Sequence, residues 1–108
     1  MYIRTKNRIY QVESETCHKQ GYYIDRYEED VILKEQVIKQ SENIEELCDR
    51  FVVIDKETKE VMNIVSFLAY AKLWSSCKYN IYGAIWTDKG LIYVARMNDK
   101  GDLELIWN

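Results

Sequence analysis

Four side chains in this sequence have the chemistry to ligate a metal: Cys17, His18, Cys48 and Cys77. Thiolates and an imidazole suit tetrahedral zinc, but zinc sites draw their thiolates from cysteine pairs spaced about two to four residues apart. These ligands are scattered, and adjacent Cys17 and His18 seldom both reach one ion. The cysteines number three, an odd count, and Met1 leads straight into charged residues with no apolar export signal. Reduced thiols, no metal and no cofactor are therefore expected. His18 is the sole imidazole and sits in a polar loop. The sequence has no glycine-rich nucleophile elbow and no phosphate loop. The carboxylate pairs Glu28-Glu29 and Glu45-Glu46 read as a turn and a helix surface rather than as a cleft. No catalytic residue can be named, and an enzyme is not expected.

Binding chemistry has two candidates. Tyr2, Arg4, Lys6, Arg8 and Tyr10 bring bases and rings together on one hairpin, and basic strands with stacking rings grip single-stranded nucleic acid. Edge hairpins also carry Lys and Arg simply to block edge pairing. The formal net charge of −3 favours that second reading and makes nucleic acid an unlikely partner. The other candidate is an apolar sheet face near the C-terminus, built from Trp86, Ile92, Val94, Ile106 and Trp107, which points to a protein partner.

That face depends on how the strands around it are registered. Asp-Lys-Gly occurs at 88–90 and again at 99–101, each time between β-rich segments. A three-residue hairpin loop takes a type I turn followed by a left-handed residue, so Gly90 and Gly101 are expected at positive φ. Thr87 then faces Leu91 and Asn98 faces Asp102. One face of the resulting meander collects Ile85, Leu91, Tyr93, Ala95, Met97, Leu103, Leu105 and Trp107. The other collects Tyr82, Ala84, Trp86, Ile92, Val94 and Ile106, with Arg96 opposite Glu104. A meander open to water on one side alternates apolar and polar. This one is apolar on both faces, so something covers the second: either the helix expected at 66–76 or a partner. The last strand, ending at Trp107, is an expected edge.

The rest of the chain is read more coarsely. Residues 2–5 and 8–13 form a hairpin around Lys6 and Asn7, with a polar loop over 14–21 and a third strand over 21–27. Glu28, Glu29 and Asp30 read as a charged turn. Residues 31–33 and 37–39 are short strand segments on either side of polar Lys34, Glu35 and Gln36. Asn43 and Glu46 have the spacing of a capping box and open a short helix. Residues 51–54 are a β run, 56–59 a turn, and 60–64 either a returning strand or the start of a helix. Phe67, Leu68, Tyr70, Ala71 and Trp74 recur at helical spacing and predict a longer helix over 66–76.

At 108 residues, with 47% hydrophobic and 31% charged side chains and no proline, the chain reads as a single domain over 1–108. The longest apolar stretch, from Ile64 to Trp74, is broken by Ser66 and Lys72 and falls short of the ~20 residues a bilayer span needs. The expected fold is α+β: an antiparallel β-sheet, with an N-terminal hairpin and a C-terminal three-stranded meander, plus one short and one longer helix. Asn43-Ile44-Glu45-Glu46-Leu47-Cys48-Asp49-Arg50-Phe51-Val52-Val53, the segment from Ile81 to Ile106, and Tyr2-Ile3-Arg4-Thr5-Lys6 resemble small uncharacterised proteins borne by phages and prophages of Gram-positive bacteria. Gly83-Ala84-Ile85-Trp86-Thr87-Asp88-Lys89-Gly90 is the most specific part. The resemblance implies no activity and no site residue. It implies a cytoplasmic setting in a bacterial host. The sequence thus leads to a phage-type accessory protein acting by protein–protein contact. Its expected partner is itself, as a homodimer, or a host or phage protein, and no membrane is involved. The alternative is a nucleic-acid-binding module using the basic hairpin.

Overall fold

The computed structural model describes residues 1–16, 20–24, 27–74 and 76–106, with 27–30 described by their backbone alone. The chain forms two compact units, Met1–Leu47 and Cys48–Asn108.

The first unit is an antiparallel sheet of five strands: β1 (Tyr2–Arg4), β2 (Ile9–Glu15), β3 (Gly21–Ile24), β4 (Tyr27–Leu33) and β5 (Lys39–Ser41). Their order is β4-β3-β2-β1-β5. The hairpin expected around Lys6 and Asn7 is present, closed by the Thr5 N–H donating to the Arg8 carbonyl at 2.9 Å. The charged turn expected at Glu28, Glu29 and Asp30 is instead part of β4. Pairing of Tyr22 with Ile32 and of Tyr23 with Val31 carries the acids into the strand, a tertiary override of their poor β-propensity. Lys34–Gln36 is a 3-10 turn, so the following strand starts only at Lys39. The short helix expected from Asn43 is also a 3-10 turn, Ile44–Leu47. Ser41 organises it: its Oγ accepts the Asn43 N–H at 3.0 Å, and its hydroxyl donates to the Glu46 carboxylate. Ile44 and Leu47 are both buried, and a 3-10 turn eclipses residues three apart.

The second unit is also a five-stranded antiparallel sheet: β6 (Arg50–Asp55), β7 (Val61–Val65), β8 (Tyr79–Thr87), β9 (Gly90–Met97) and β10 (Leu103–Leu105), in the order β10-β9-β8-β6-β7. The ambiguous stretch at 60–64 is therefore strand from Val61 onward. Between β7 and β8 lies α1 (Leu68–Ala71), continued by a 3-10 turn at Lys72–Trp74. It is shorter than the helix expected over 66–76. No side chain caps its N-terminus at Phe67. Its buried positions, Leu68 and Ala71, repeat at three residues, which favours the tighter turn that follows. Those two side chains pack with Phe51, Val53 and Ile81, and Trp74 meets Tyr79 edge-on at 5.4 Å. The β6–β7 turn is built on Asp55, whose Oδ1 accepts the N–H groups of Glu57 at 2.8 Å and Thr58 at 3.0 Å. These bonds, that from Thr58 first, lower its carboxyl below the ordinary Asp range.

The α+β expectation is overturned. The chain is mostly β, with 53% strand and 15% helical residues. Among the described residues, the one α-helix spans four residues. Short buried repeats at 44–47 and 68–74 satisfy 3-10 turns and a single turn of α-helix, and the charged residues 28–30 are absorbed into β4, whereas the turn expected at 56–59 is present.

Candidate functional site

β8 is aromatic and β-branched, and its side chains alternate across the sheet. Ile81, Gly83 and Ile85 point to one side, all buried. That is the side on which α1 packs, against Ile81. Tyr82, Ala84 and Trp86 point to the other. The helix therefore does not cover Trp86, whose side chain remains 53% exposed. Its backbone is fixed: beyond the end of β6, the Trp86 N–H donates to the Asp49 carboxylate at 2.8 Å.

The neighbours of Trp86 differ from those expected. Thr87 pairs with Gly90, not with Leu91, so Trp86 faces Leu91, Ile85 faces Ile92 and Ala84 faces Tyr93. The register then shifts, and Gly83 faces Ala95 and Tyr82 faces Arg96. Val94 is the extra residue of a β-bulge. Tyr93, rather than Val94, thus joins Trp86 on its side of the sheet, 43% exposed, and stacks on Tyr82 with ring centres 5.0 Å apart, although Ala84 on the same side is buried. The expected face assignment is corrected accordingly. Ile92 lies on the opposite side and is half-buried, Val94 is buried in the bulge, and Ile106 is half-buried, donating its N–H to the Val94 carbonyl at 2.9 Å. Trp107 lies outside the described residues. The sheet pairing adds Arg50, opposite Ala84, and Arg96 to the face of Trp86.

The two hairpins differ in the residue that precedes the shared Asp-Lys-Gly. Thr87 accepts the Lys89 N–H at 3.1 Å and donates its hydroxyl to the Gly90 carbonyl at 2.9 Å, closing the loop over Asp88 and Lys89. Asn98 precedes the second Asp-Lys-Gly. Its Oδ1 takes the N–H groups of Lys100 and Asp102 at 2.9 and 3.0 Å. That hairpin keeps the expected register, with Leu103 facing Met97 and Glu104 facing Arg96. The Thr-for-Asn difference was the available signal for Tyr93. Both glycines adopt positive φ as expected, +98° at Gly90 and +85° at Gly101.

The basic hairpin is divided. Tyr2 pairs with Gln11 and Arg4 with Ile9, whereas Tyr10 pairs with Ile3. Tyr2 and Arg4 therefore lie on one side of the sheet and Tyr10 on the other, with Arg8 beside it through the Thr5 closure and exposed Lys6 in the turn. Arg4 donates to the Leu47 carbonyl at 3.3 Å, and β1 is interior, flanked by β2 and β5. The five residues do not form one platform.

Of the metal candidates, Cys17 and His18 lie outside the described residues. Among those described, no three His, Cys, Asp or Glu side chains are grouped to hold an ion. Also among them, no helix is long and apolar enough to cross a membrane. Comparison with protein-family models, with curated proteins and with solved structures yields no match, so the reading of this chain rests on its own residues.

Proposed function

We propose that this chain is a small phage-type accessory protein of the bacterial cytoplasm. It acts by binding a host or phage protein through the β8–β9 face. The observation that carries this reading is Trp86, half exposed on a backbone held by pairing with Leu91 on β9 and by the Asp49 carboxylate. Trp, Tyr and Arg are the residues that most often dominate binding energy at protein interfaces, and this face presents Trp86, Tyr93, Arg50 and Arg96 together. The fitting partner offers an apolar cleft to the indole and carboxylates to the two arginines. Rigid aromatic anchors also lose little side-chain entropy on binding.

The test is capture with tagged wild type, Trp86→Ala and Tyr93→Ala from a phage-carrying Gram-positive host. Titration of the purified captured protein against each variant follows. Hot-spot truncation costs ~2 kcal/mol or more, so Trp86→Ala should weaken that complex at least ~30-fold. Equal affinity of wild type and Trp86→Ala overturns the proposal. So does retention of only a salt-sensitive oligonucleotide, which would favour the nucleic-acid alternative on the basic hairpin.

A further inference from the structure

A cavity of about 480 Å³ lies in the first unit, between the β1–β2 turn and the segment that follows β4. β4 and β5 are the outer strands of that sheet, so residues 34–38 have to connect one edge to the other. They are tied down beside the turn, where the Ile38 N–H donates to the Arg4 carbonyl at 2.8 Å. Each wall of the cavity is fixed by its own bonds. On one, the Thr5 hydroxyl donates to the Arg8 carbonyl at 3.3 Å, and its oxygen accepts the Asn7 N–H at 3.4 Å. On the other, the Gln36 Oε1 accepts the Leu33 N–H at 3.0 Å. A preformed pocket of this size, with a few polar groups around apolar side chains, is the usual form of a small-molecule site.

The lining divides by chemistry. Tyr10, Ile32 and Ile38 supply one ring and two branched chains. Lys6 comes from the β1–β2 turn and Glu35 from the 3-10 turn, and both line the same cavity. The two do not pair with each other. Among the described residues, neither has an ion pair or a side-chain hydrogen bond, and the Asn7 carboxamide is equally unengaged. A cation and an anion on separate walls, with apolar side chains between them, match a molecule that carries both charges and an apolar group. A ligand of one charge satisfies one wall only.

We propose that this cavity binds a free amino acid with an aromatic or branched apolar side chain. Its carboxylate meets the Lys6 ammonium and the Asn7 carboxamide, its ammonium meets the Glu35 carboxylate, and its side chain packs on Tyr10, Ile32 and Ile38. All of these residues belong to Met1–Leu47, and none belongs to the β8–β9 face. A ligand of about a dozen heavy atoms, held by exposed charges, binds with a dissociation constant on the order of 1 mM.

Amide chemical-shift titration of the whole chain with L-phenylalanine tests the proposal. Saturable shifts are expected at residues 5–10 and 35–38. N-acetyl-phenylalanine, which lacks the ammonium, and phenethylamine, which lacks the carboxylate, should each bind about threefold or more weaker, the range of an exposed ion pair. Lys6→Gln and Glu35→Gln change exposed side chains and should remain folded by circular dichroism. Lys6→Gln should weaken L-phenylalanine by a similar factor and leave phenethylamine unchanged. Glu35→Gln should weaken L-phenylalanine and leave N-acetyl-phenylalanine unchanged. Trp86→Ala should bind L-phenylalanine like wild type, which separates this cavity from the β8–β9 face. Absence of a saturable shift, equal binding of the two analogues and L-phenylalanine, or variants that bind L-phenylalanine like wild type overturns the proposal.

Discussion

Gly83 sits where β8 leaves no room for a side chain. A Cβ there would lie 2.7 Å from the Cys48 Sγ and 3.3 Å from the Ala95 Cβ. Gly83→Ala should therefore destabilise the fold by about 1–3 kcal/mol, the usual cost of overpacking, measured by urea unfolding. Adding Cys48→Ala removes the closest atom and should recover part of the loss, so the two changes should be non-additive. Strictly additive losses would show that the sulfur is not the obstacle. Gly90 and Gly101 pose the opposite case. No atom lies within 4 Å of the Cβ position at either, so only the positive φ opposes a side chain. Gly90→Val and Gly101→Val should each cost roughly 1 kcal/mol or more through left-handed strain. A Gly90→Val protein melting at the wild-type temperature would refute that backbone assignment.

The β6–β7 turn depends on a carboxylate that collects two amides. Asp55→Ala should lower the unfolding midpoint at neutral pH. Its folded pKa is depressed, so the stabilisation is complete above the unfolded value of about 3.9 and is lost as pH falls through the folded value. The gap between wild type and Asp55→Ala should therefore be constant near pH 7 and narrow in acid. A gap that widens in acid would contradict the assignment. The legibility of other elements followed how local their causes are. The hairpin at Lys6 and Asn7 and the one beginning at Asn98 were readable because turn chemistry is written in adjacent residues. The hairpin at Thr87 was misregistered because the same Asp-Lys-Gly closes there with Thr87 opposite Gly90, the Thr87 hydroxyl bonding the Gly90 carbonyl. Trp86 was legible as an anchor, yet Tyr93 replaced Val94 beside it, since closing the loop at Thr87 and Gly90 moves every pairing up to Tyr93 by one residue, and the bulge at Val94 restores the expected register beyond it. The helices failed for a related reason. Burial at three-residue spacing is compatible with α and 3-10 turns, and packing chose between them.

For the molecule as a whole, the expectation of thiols without metal has a direct measurement. Protein purified without added metal should contain no stoichiometric zinc, and the three cysteines of the sequence should all react when it is denatured. Stoichiometric zinc would restore the ligand set that includes Cys17 and His18. The strand order of the second unit bears on how the chain is made. β6 lies between β7 and β8, but only β7 follows it directly. β7 ends at Val65 and β8 at Thr87, so at ~5–20 residues per second the ribosome delivers the inner neighbour roughly 1–4 s after the outer one. During that interval the nascent β6–β7 hairpin carries Phe51, Val52 and Val53 with one flank unpaired, and neither Cys48 nor Asp49 has met its partner on β8. A chain stalled between the two strands is exposed to misassembly that the completed chain no longer risks.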